Sequence, residues 1–230
     1  MFSTIYLSSK RMTKTNFITR LKTKINLLLL LSFMISACDK IYDNDKIEPQ
    51  PAVGQSYQNI NCTDYAKWVY INLHNGDSIT LSYEQATLPD AWDIALHRYD
   101  VKTNGGKAVE TSYGSLDELK AAVDDGTMTL PADELWEPDA EDSIIVDMSH
   151  MMEGYLVRSA SAINRVLCRW LDVDLSSMPP IYTPSDKVYL LLLRDGTVAA
   201  IRFTGIINQQ LYSTKGYISF DYCYPLTIKQ

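Results

Sequence analysis

The chain has 230 residues, of which 46% are hydrophobic, enough apolar material for one domain of ordinary size. It carries 21 Lys and Arg against 28 Asp and Glu. Six of the basic residues and none of the acidic ones lie in the first 37 residues, which leaves 15 positive against 28 negative charges in the rest of the chain. This acidic balance argues against nucleic acid as a partner, because proteins that bind nucleic acid present basic surfaces.

Residues 1–37 are typical of a secretory signal. A basic stretch precedes the apolar run 25–35, which is shorter than a membrane span. The run ends in Ile35-Ser36-Ala37-Cys38, which resembles the bacterial lipobox, and this resemblance implies that Cys38 is lipidated and becomes the new N-terminus. The alternative is an ordinary cleavage site that happens to precede a cysteine. Acyl chains on Cys38 would anchor the protein to a membrane without a transmembrane helix.

Residues 38–56 are polar and acidic and contain two prolines, so we predict a flexible tether. The acidic start of this segment resembles the surface-export signal of some Gram-negative lipoproteins, which implies a place on the outer face of the outer membrane. Residues 57–230 are predicted to form one domain. Its three cysteines, Cys62, Cys168 and Cys223, allow at most one disulfide, and we expect buried apolar thiols.

Strand signals dominate this domain and predict an all-β fold, a mostly antiparallel sheet or sandwich with two short helices. Hairpins are predicted where Asn75-Gly76 separates strands 68–73 and 78–83, and where Asp195-Gly196 separates strands 188–193 and 197–204. Further strands are predicted over residues 91–101, 107–113, 143–146 and 216–224.

Two helices are predicted between the strands. Ser115 and Glu118 form a capping box that opens a helix ending near Val123. The second helix is predicted over residues 160–171, because its apolar side chains recur at the spacing of one helix face.

The sequence contains no recognisable enzyme motif: it has no phosphate-binding loop, nucleophile elbow, zinc-protease helix or C-x-x-C pair. Only three histidines occur in the chain. We therefore predict that the protein is not an enzyme.

Methionine is the residue type whose distribution along the chain is unusual. Met148, Met151 and Met152 surround His150 just after a predicted strand, and Met178 follows the second predicted helix. Thioether sulfur is soft and never protonated, and it suits Cu(I) and the axial positions of haem iron. The alternative is that these methionines fill gaps in the core.

Residues 92–106, WDIALHRYDVKTNGG, closely resemble the strand-and-turn signature of the HmuY-like haem-binding lipoproteins. The resemblance continues through Trp170-Leu171, residues 178–189 and residues 216–222, and it covers most of residues 60–226. It implies an all-β domain that holds haem (iron protoporphyrin IX) between two loops. It also implies delivery of the haem to a TonB-dependent outer-membrane haem receptor.

The founding type of this family binds haem iron through two histidines, and this chain departs from that pattern because no histidine lies near Met178. Relatives of the founding type use two methionines about 27 residues apart. This implies Met151 and Met178 as the pair, with Met148, Met152 and His150 as rivals for the first position. His97 belongs to the signature strand and is expected to be structural.

Two other functions stay open at this point. A surface adhesin or glycan-binding lipoprotein would also be β-rich, acidic and aromatic. A copper-binding lipoprotein would use the segment 147–152 alone, because thioethers and imidazole suit Cu(I).

Overall fold

The structure is a computed structural model that describes residues 54–174 and 176–228. The predicted signal 1–37, the lipidation site Cys38 and residues 38–53 of the predicted tether lie outside these residues. Residues 54–56, placed in the tether by the sequence, belong to the first strand. No helix in the described part of the chain is long and apolar enough to cross a membrane.

The predicted all-β fold is confirmed, and the described residues contain fourteen strands. In chain order these are β1 (Gly54–Asn61), β2 (Lys67–Ile71), β3 (Ser78–Ser82), β4 (Ile94–His97), β5 (Asp100–Thr103), β6 (Lys107–Glu110), β7 (Glu137–Pro138), β8 (Ala140–Asp147), β9 (Val157–Ile163), β10 (Leu171–Asp174), β11 (Ile181–Pro184), β12 (Tyr189–Leu192), β13 (Val198–Asn208) and β14 (Thr214–Cys223). Helix α1 spans Leu116–Asp124, and the short helix α2 spans Arg165–Cys168.

The strands form two antiparallel sheets and two separate hairpins. One sheet has the order β1-β14-β13-β12-β6-β7 and the other the order β3-β2-β4-β5. The hairpins pair β8 with β9 and β10 with β11. All of these pairings are antiparallel, and consecutive neighbours such as β4–β5 and β12–β13 are joined by short turns, whereas β6 and β7 are joined by residues 111–136, which contain α1.

The main core lies between the two sheets. Ile71 and Leu96 from the four-stranded sheet pack in one buried cluster with Leu191, Phe203 and Phe220 from the six-stranded sheet. Burying side chains of this size contributes roughly 1.5–3 kcal/mol each relative to exposure. The sheets therefore form a sandwich.

Each sheet is also covered on its outer face. Helix α1 inserts Leu119 into a second buried cluster on the six-stranded sheet, where Met128 is also buried. The β8–β9 hairpin covers the four-stranded sheet, packing Ile144 and Val146 against Trp68 and Tyr70. This cover fixes where the tip of the hairpin lies.

Ser115 is confirmed as the N-cap of α1, whereas the side chain of Glu118 bonds one residue before the N–H that a capping box predicts. The Ser115 hydroxyl accepts a hydrogen bond from the Glu118 backbone N–H at 3.1 Å, and the Glu118 carboxylate accepts one from the Gly114 N–H at 3.0 Å.

The three cysteines are free thiols, with Cys62 and Cys223 buried and Cys168 partly buried. Burial raises the pKa of both Cys62 and Cys168 to about 12.

The second predicted helix is present, but its predicted bounds, residues 160–171, are wrong. Residues up to Ile163 continue β9, one helical turn follows at Arg165–Cys168, and Leu171 already belongs to β10. Asn164 ends the strand because its backbone N–H donates to Val101, while its side chain accepts from the Leu167 N–H at 3.0 Å. The apolar spacing arises because Ile163 packs in the outer cluster and the following apolar residues pack in the main core.

The single long strand predicted over residues 91–101 is also wrong. It is two strands, β4 and β5, joined by a tight turn at Arg98-Tyr99. Arg98 adopts a left-handed backbone with φ of +52°, a conformation that turn-forming Gly or Asn usually supplies. The turn has neither residue, so the sequence pattern runs through it without a break.

Candidate functional site

The predicted ligand residues lie at the tips of the two separate hairpins. Met148, His150, Met151 and Met152 lie in the loop between β8 and β9, and Met178 lies in the loop between β10 and β11. In the first loop a 3-10 turn at Met151–Glu153 ends at Gly154, whose φ is +91°. Each group therefore lies on a loop held at both ends by a strand ladder.

The methionines differ sharply in exposure. Met152 and Met178 are each 90% exposed and Met151 is 52% exposed, whereas Met128 is only 5% exposed. Met148 is partly buried. The alternative that these methionines fill gaps in the core therefore does not hold for Met151, Met152 or Met178, although Met128, elsewhere in the chain, is buried in the core.

Each loop has contacts that locate it on the sandwich. Met148 lines a cleft of about 590 Å³ together with Tyr65, Tyr83 and Val146. On the other hairpin, the Lys215 ammonium donates to the Pro180 carbonyl at 3.2 Å and lies 4.3 Å from the centre of the Tyr182 ring. The first loop therefore lies beside Tyr65 and the second beside Tyr182.

A row of side chains joins these two places. The Arg98 guanidinium lies 4.3 Å from the centre of the Tyr65 ring and 5.2 Å from that of Tyr99. The Tyr99 and Tyr182 ring centres are 5.3 Å apart. We call Tyr65, Arg98, Tyr99 and Tyr182 the aromatic row. It runs from the cleft lined by Met148 to Tyr182 in β11, at the end of the four-stranded sheet where β4 turns into β5, and so links the two hairpins that carry the methionine loops.

Arg98 is the centre of the aromatic row. Its guanidinium donates to the Thr63 carbonyl at 2.9 Å and to the Tyr99 hydroxyl at 3.1 Å. Within the described part of the chain, Arg98 forms no salt bridge. Gly216 makes room for it, because a Cβ at Gly216 would lie 2.5 Å from a guanidinium nitrogen. Burial, together with a hydrogen bond to Tyr182, raises the pKa of Tyr99, so this phenol stays neutral.

The histidines at this end have partners of their own. His150 stacks on Tyr155 with ring centres 4.6 Å apart, and its Nδ1 lies 3.2 Å from a Glu153 carboxylate oxygen. His97 is fully buried between the Tyr65 carbonyl at 2.7 Å and Asp100 at 3.1 Å, which agrees with a structural role. Among residues 54–174 and 176–228, no group of three or more His, Cys, Asp and Glu is arranged to hold a metal ion.

Sequence reasoning missed a second polar cluster, at the opposite end of the sheets. His74 lies between two carboxylates, with Nδ1 3.0 Å from Asp93 and Nε2 2.9 Å from Asp195. Burial opposes the charged form of His74, but hydrogen bonds to Asp195 and Asp93 outweigh it and raise the pKa of the imidazole. No sequence spacing could have linked residues that are 121 positions apart.

The structure belongs to the class of antiparallel β sandwiches, and it carries methionine and histidine side chains that could ligate a metal on two hairpin loops. The HmuY protein family matches residues 64–222, more than half of the chain. The chain therefore belongs to the HmuY family, as its resemblance to that signature predicted.

Solved structures agree with this assignment. A putative lipoprotein from Bacteroides fragilis is 46% identical, with a TM-score of 0.67 over 76% of this chain and 90% of that one. A putative HmuY-like haem-binding protein from Bacteroides vulgatus is 36% identical, with the same TM-score over 76% and 93%. A Tannerella forsythia HmuY analogue, solved in its apo form, is 25% identical, with a TM-score of 0.62 over 76% and 96%. No curated protein matches this chain.

Proposed function

We propose that the protein captures haem at the bacterial surface, holding it between the β8–β9 and β10–β11 loops. The observation that carries this proposal is the exposure of Met151 and Met178 on the loops of two hairpins that the aromatic row links. Membership of the HmuY family and similarity to a structure described as haem-binding support it. An apolar, planar ligand also suits a surface of exposed thioethers and tyrosine rings.

Met151 and Met178 are the proposed axial ligands. Their sulfurs are neutral and soft, so they favour ferrous over ferric iron and raise the potential of the haem. Met152, Met148 and His150 are rivals for the first position, and the structure gives them different surroundings. Met148 lines the cleft beside Tyr65, Met152 is almost fully exposed, and His150 is engaged with Glu153 and Tyr155.

In this proposal haem is cargo and the protein is not an enzyme, so the residues of the chain only bind and orient the haem. The aromatic row would supply apolar surface beside the ring and hold the two loops in place. The hydrogen bond from Lys215 to Pro180 ties the Met178 loop to β14. Two loops anchored in this way lose little conformational entropy on binding, which favours affinity.

The proposal includes a cellular setting. Cys38 is the proposed lipidation site, residues 38–53 are proposed to be a tether, and the domain is proposed to face outward from the outer membrane. From there it would deliver haem to a TonB-dependent outer-membrane haem receptor. The similarity to a putative lipoprotein supports the anchor.

The test is a spectral titration of the domain with haemin, with and without dithionite. We expect a stoichiometric Soret shift that is stronger under reducing conditions. Met151→Ala and Met178→Ala should each weaken binding at least about tenfold, since even outer-shell changes at metal sites cost about 10- to 100-fold in affinity. Met128→Leu is the matched control: Met128 is buried on the other sheet, and the exchange conserves volume.

The outcomes separate the proposed function from its rivals. If the native protein gives no Soret shift, the proposal of haem capture is wrong, and the result favours an adhesin or glycan-binding role. If haem binds and both alanine variants match the Met128→Leu control, the ligand assignment is wrong although the function stands. If the protein binds Cu(I) tightly and Met178→Ala has no effect on that binding, the copper-binding alternative holds.

A further inference from the structure

The exposed methionines differ in accessibility from the other sulfur-containing side chains of the described residues. Met178 and Met152 are 90% exposed and Met151 is 52% exposed. The sulfurs of Met128 and of the three cysteines are buried or partly buried. Thiols react with peroxides as thiolates, and burial raises the pKa of Cys62 and Cys168 to about 12, so few thiolates form at neutral pH. The most accessible reactive sulfurs therefore lie on the two methionine loops.

We infer that Met178 and Met151 are sites of reversible oxidation to methionine sulfoxide, and that this oxidation and haem capture exclude each other. The inference rests on the proposed function, because exclusion requires that these two thioethers bind the iron. The domain would then respond to oxidants as well as to haem, because the same two sulfurs react with oxidants when haem is absent.

The oxidant is a peroxide-class, two-electron reagent such as hydrogen peroxide. A sulfur lone pair attacks one peroxide oxygen, the O–O bond breaks, and an S–O bond forms. The sulfur is oxidised by two electrons, the peroxide is reduced, and its second oxygen leaves as water after taking up the proton. The apolar thioether becomes a polar sulfoxide.

This change alters the ligand that iron would meet. A sulfoxide presents a hard oxygen as its outermost donor, and soft ferrous iron prefers the thioether that it replaces. In the other direction, a sulfur bound to iron has its lone pair engaged and its surface covered by the haem ring. Haem should therefore protect Met151 and Met178, while Met152 should stay reactive unless it is the ligand.

The first experiment treats the haem-free domain with increasing hydrogen peroxide and maps oxidation by peptide mass spectrometry. Met178 and Met152 should react fastest, Met151 about twofold more slowly in proportion to its exposure, and Met128 far more slowly. Circular dichroism should show that the sheets are retained. Equal rates at Met178 and Met128 would overturn the inference.

The second experiment titrates the oxidised domain with haemin under reducing conditions. Affinity should fall at least about tenfold, as expected for loss of a metal ligand. Treatment with methionine sulfoxide reductases should restore it, which unfolding or other damage would not allow. If affinity is unchanged when Met178 is fully oxidised, the inference fails and haem capture survives. If the unoxidised domain does not bind haem, the proposed function fails, and the exclusion fails with it.

The third experiment tests protection without an oxidant, because peroxide attacks haem itself. Iodoacetamide alkylates exposed thioethers, and its pattern is compared between the haem-free and haem-loaded domain. Met178 and one methionine of the first loop should be protected at least severalfold, with Met128 unreactive in both samples. Equal alkylation of Met178 in both samples would overturn the exclusion.

Discussion

The two ends of the sheets use their polar and apolar groups in opposite ways. We call the end that contains His74 the histidine end and the end that contains the methionine loops the methionine end. At the histidine end, His74 lies between Asp93 and Asp195, and these three side chains link the turn after β2 to the turn between β12 and β13. At the methionine end, thioethers are left exposed and Arg98 has no salt bridge among the described residues. Exposed apolar side chains gathered at one end are typical of a binding surface.

The same strands connect both ends of the sheets. Tyr65 precedes β2 and His74 follows it, while Asp93 precedes β4 and Arg98 follows it. A variant at either end therefore tests the same scaffold. The difference teaches that the polar side chains at one end are paired with one another, whereas the other end leaves its thioethers exposed to a ligand.

The largest effect is expected from Gly216→Ala at the methionine end. An alanine there would have a strained backbone at φ of +92°, and its Cβ would lie 2.5 Å from the Arg98 guanidinium. We expect a loss of about 3 kcal/mol in the free energy of unfolding, from backbone strain and displacement of Arg98 together. Gly196→Ala at the histidine end is the matched control, since φ there is +85° with nothing within 4 Å. It should cost only about 1–2 kcal/mol. Urea denaturation measures both, and equal losses would contradict the role of Arg98.

An intermediate effect is expected from Arg98→Lys, which keeps the charge and loses the planar fork of donors. The hydrogen bonds to Thr63 and Tyr99 are those of a charged donor, so their loss should cost about 1.5–3 kcal/mol. Haem affinity should fall as well, because the aromatic row joins the two loops. His74→Gln should leave haem affinity unchanged. If both variants bind haem like the native protein, the row does not organise the site.

The smallest effect is a pH dependence at the histidine end. The fold raises the pKa of His74, so its contribution is fully present below the unfolded value near 6.5 and is lost as pH rises through the folded value. The side chain is 38% exposed, so the contribution should stay below about 1 kcal/mol. Thermal unfolding between pH 5 and pH 9 should show this fall, and the His74→Gln variant should lack it. A stability that rises relative to the variant over that range would reverse the predicted sign.

The sequence predicted the fold well where turn chemistry was explicit. Asn75-Gly76 and Asp195-Gly196 both lie in hairpin turns as predicted, and Ser115 caps α1. It failed at the Arg98-Tyr99 turn, which lacks Gly or Asn, and at residues 160–171. There, apolar side chains that face two different clusters imitate one face of a helix.

The candidate site was predictable only in part. Methionine on two loops could be read from the sequence, as could the family. The aromatic row and the His74 cluster could not, because both join residues that only the sheet topology brings together. Exposure was also beyond the sequence, since Met128 and Met178 both lie outside the helices and strands and only Met128 is buried.

The most direct measurement of the central claim is X-ray absorption at the iron edge of the ferrous haem complex. Paired methionine ligation predicts two sulfur neighbours at about 2.3 Å, close to a zinc–thiolate distance. Met178→Ala should remove one of the two, and Met128→Leu should remove neither. A first shell with only nitrogen and oxygen neighbours would contradict the account.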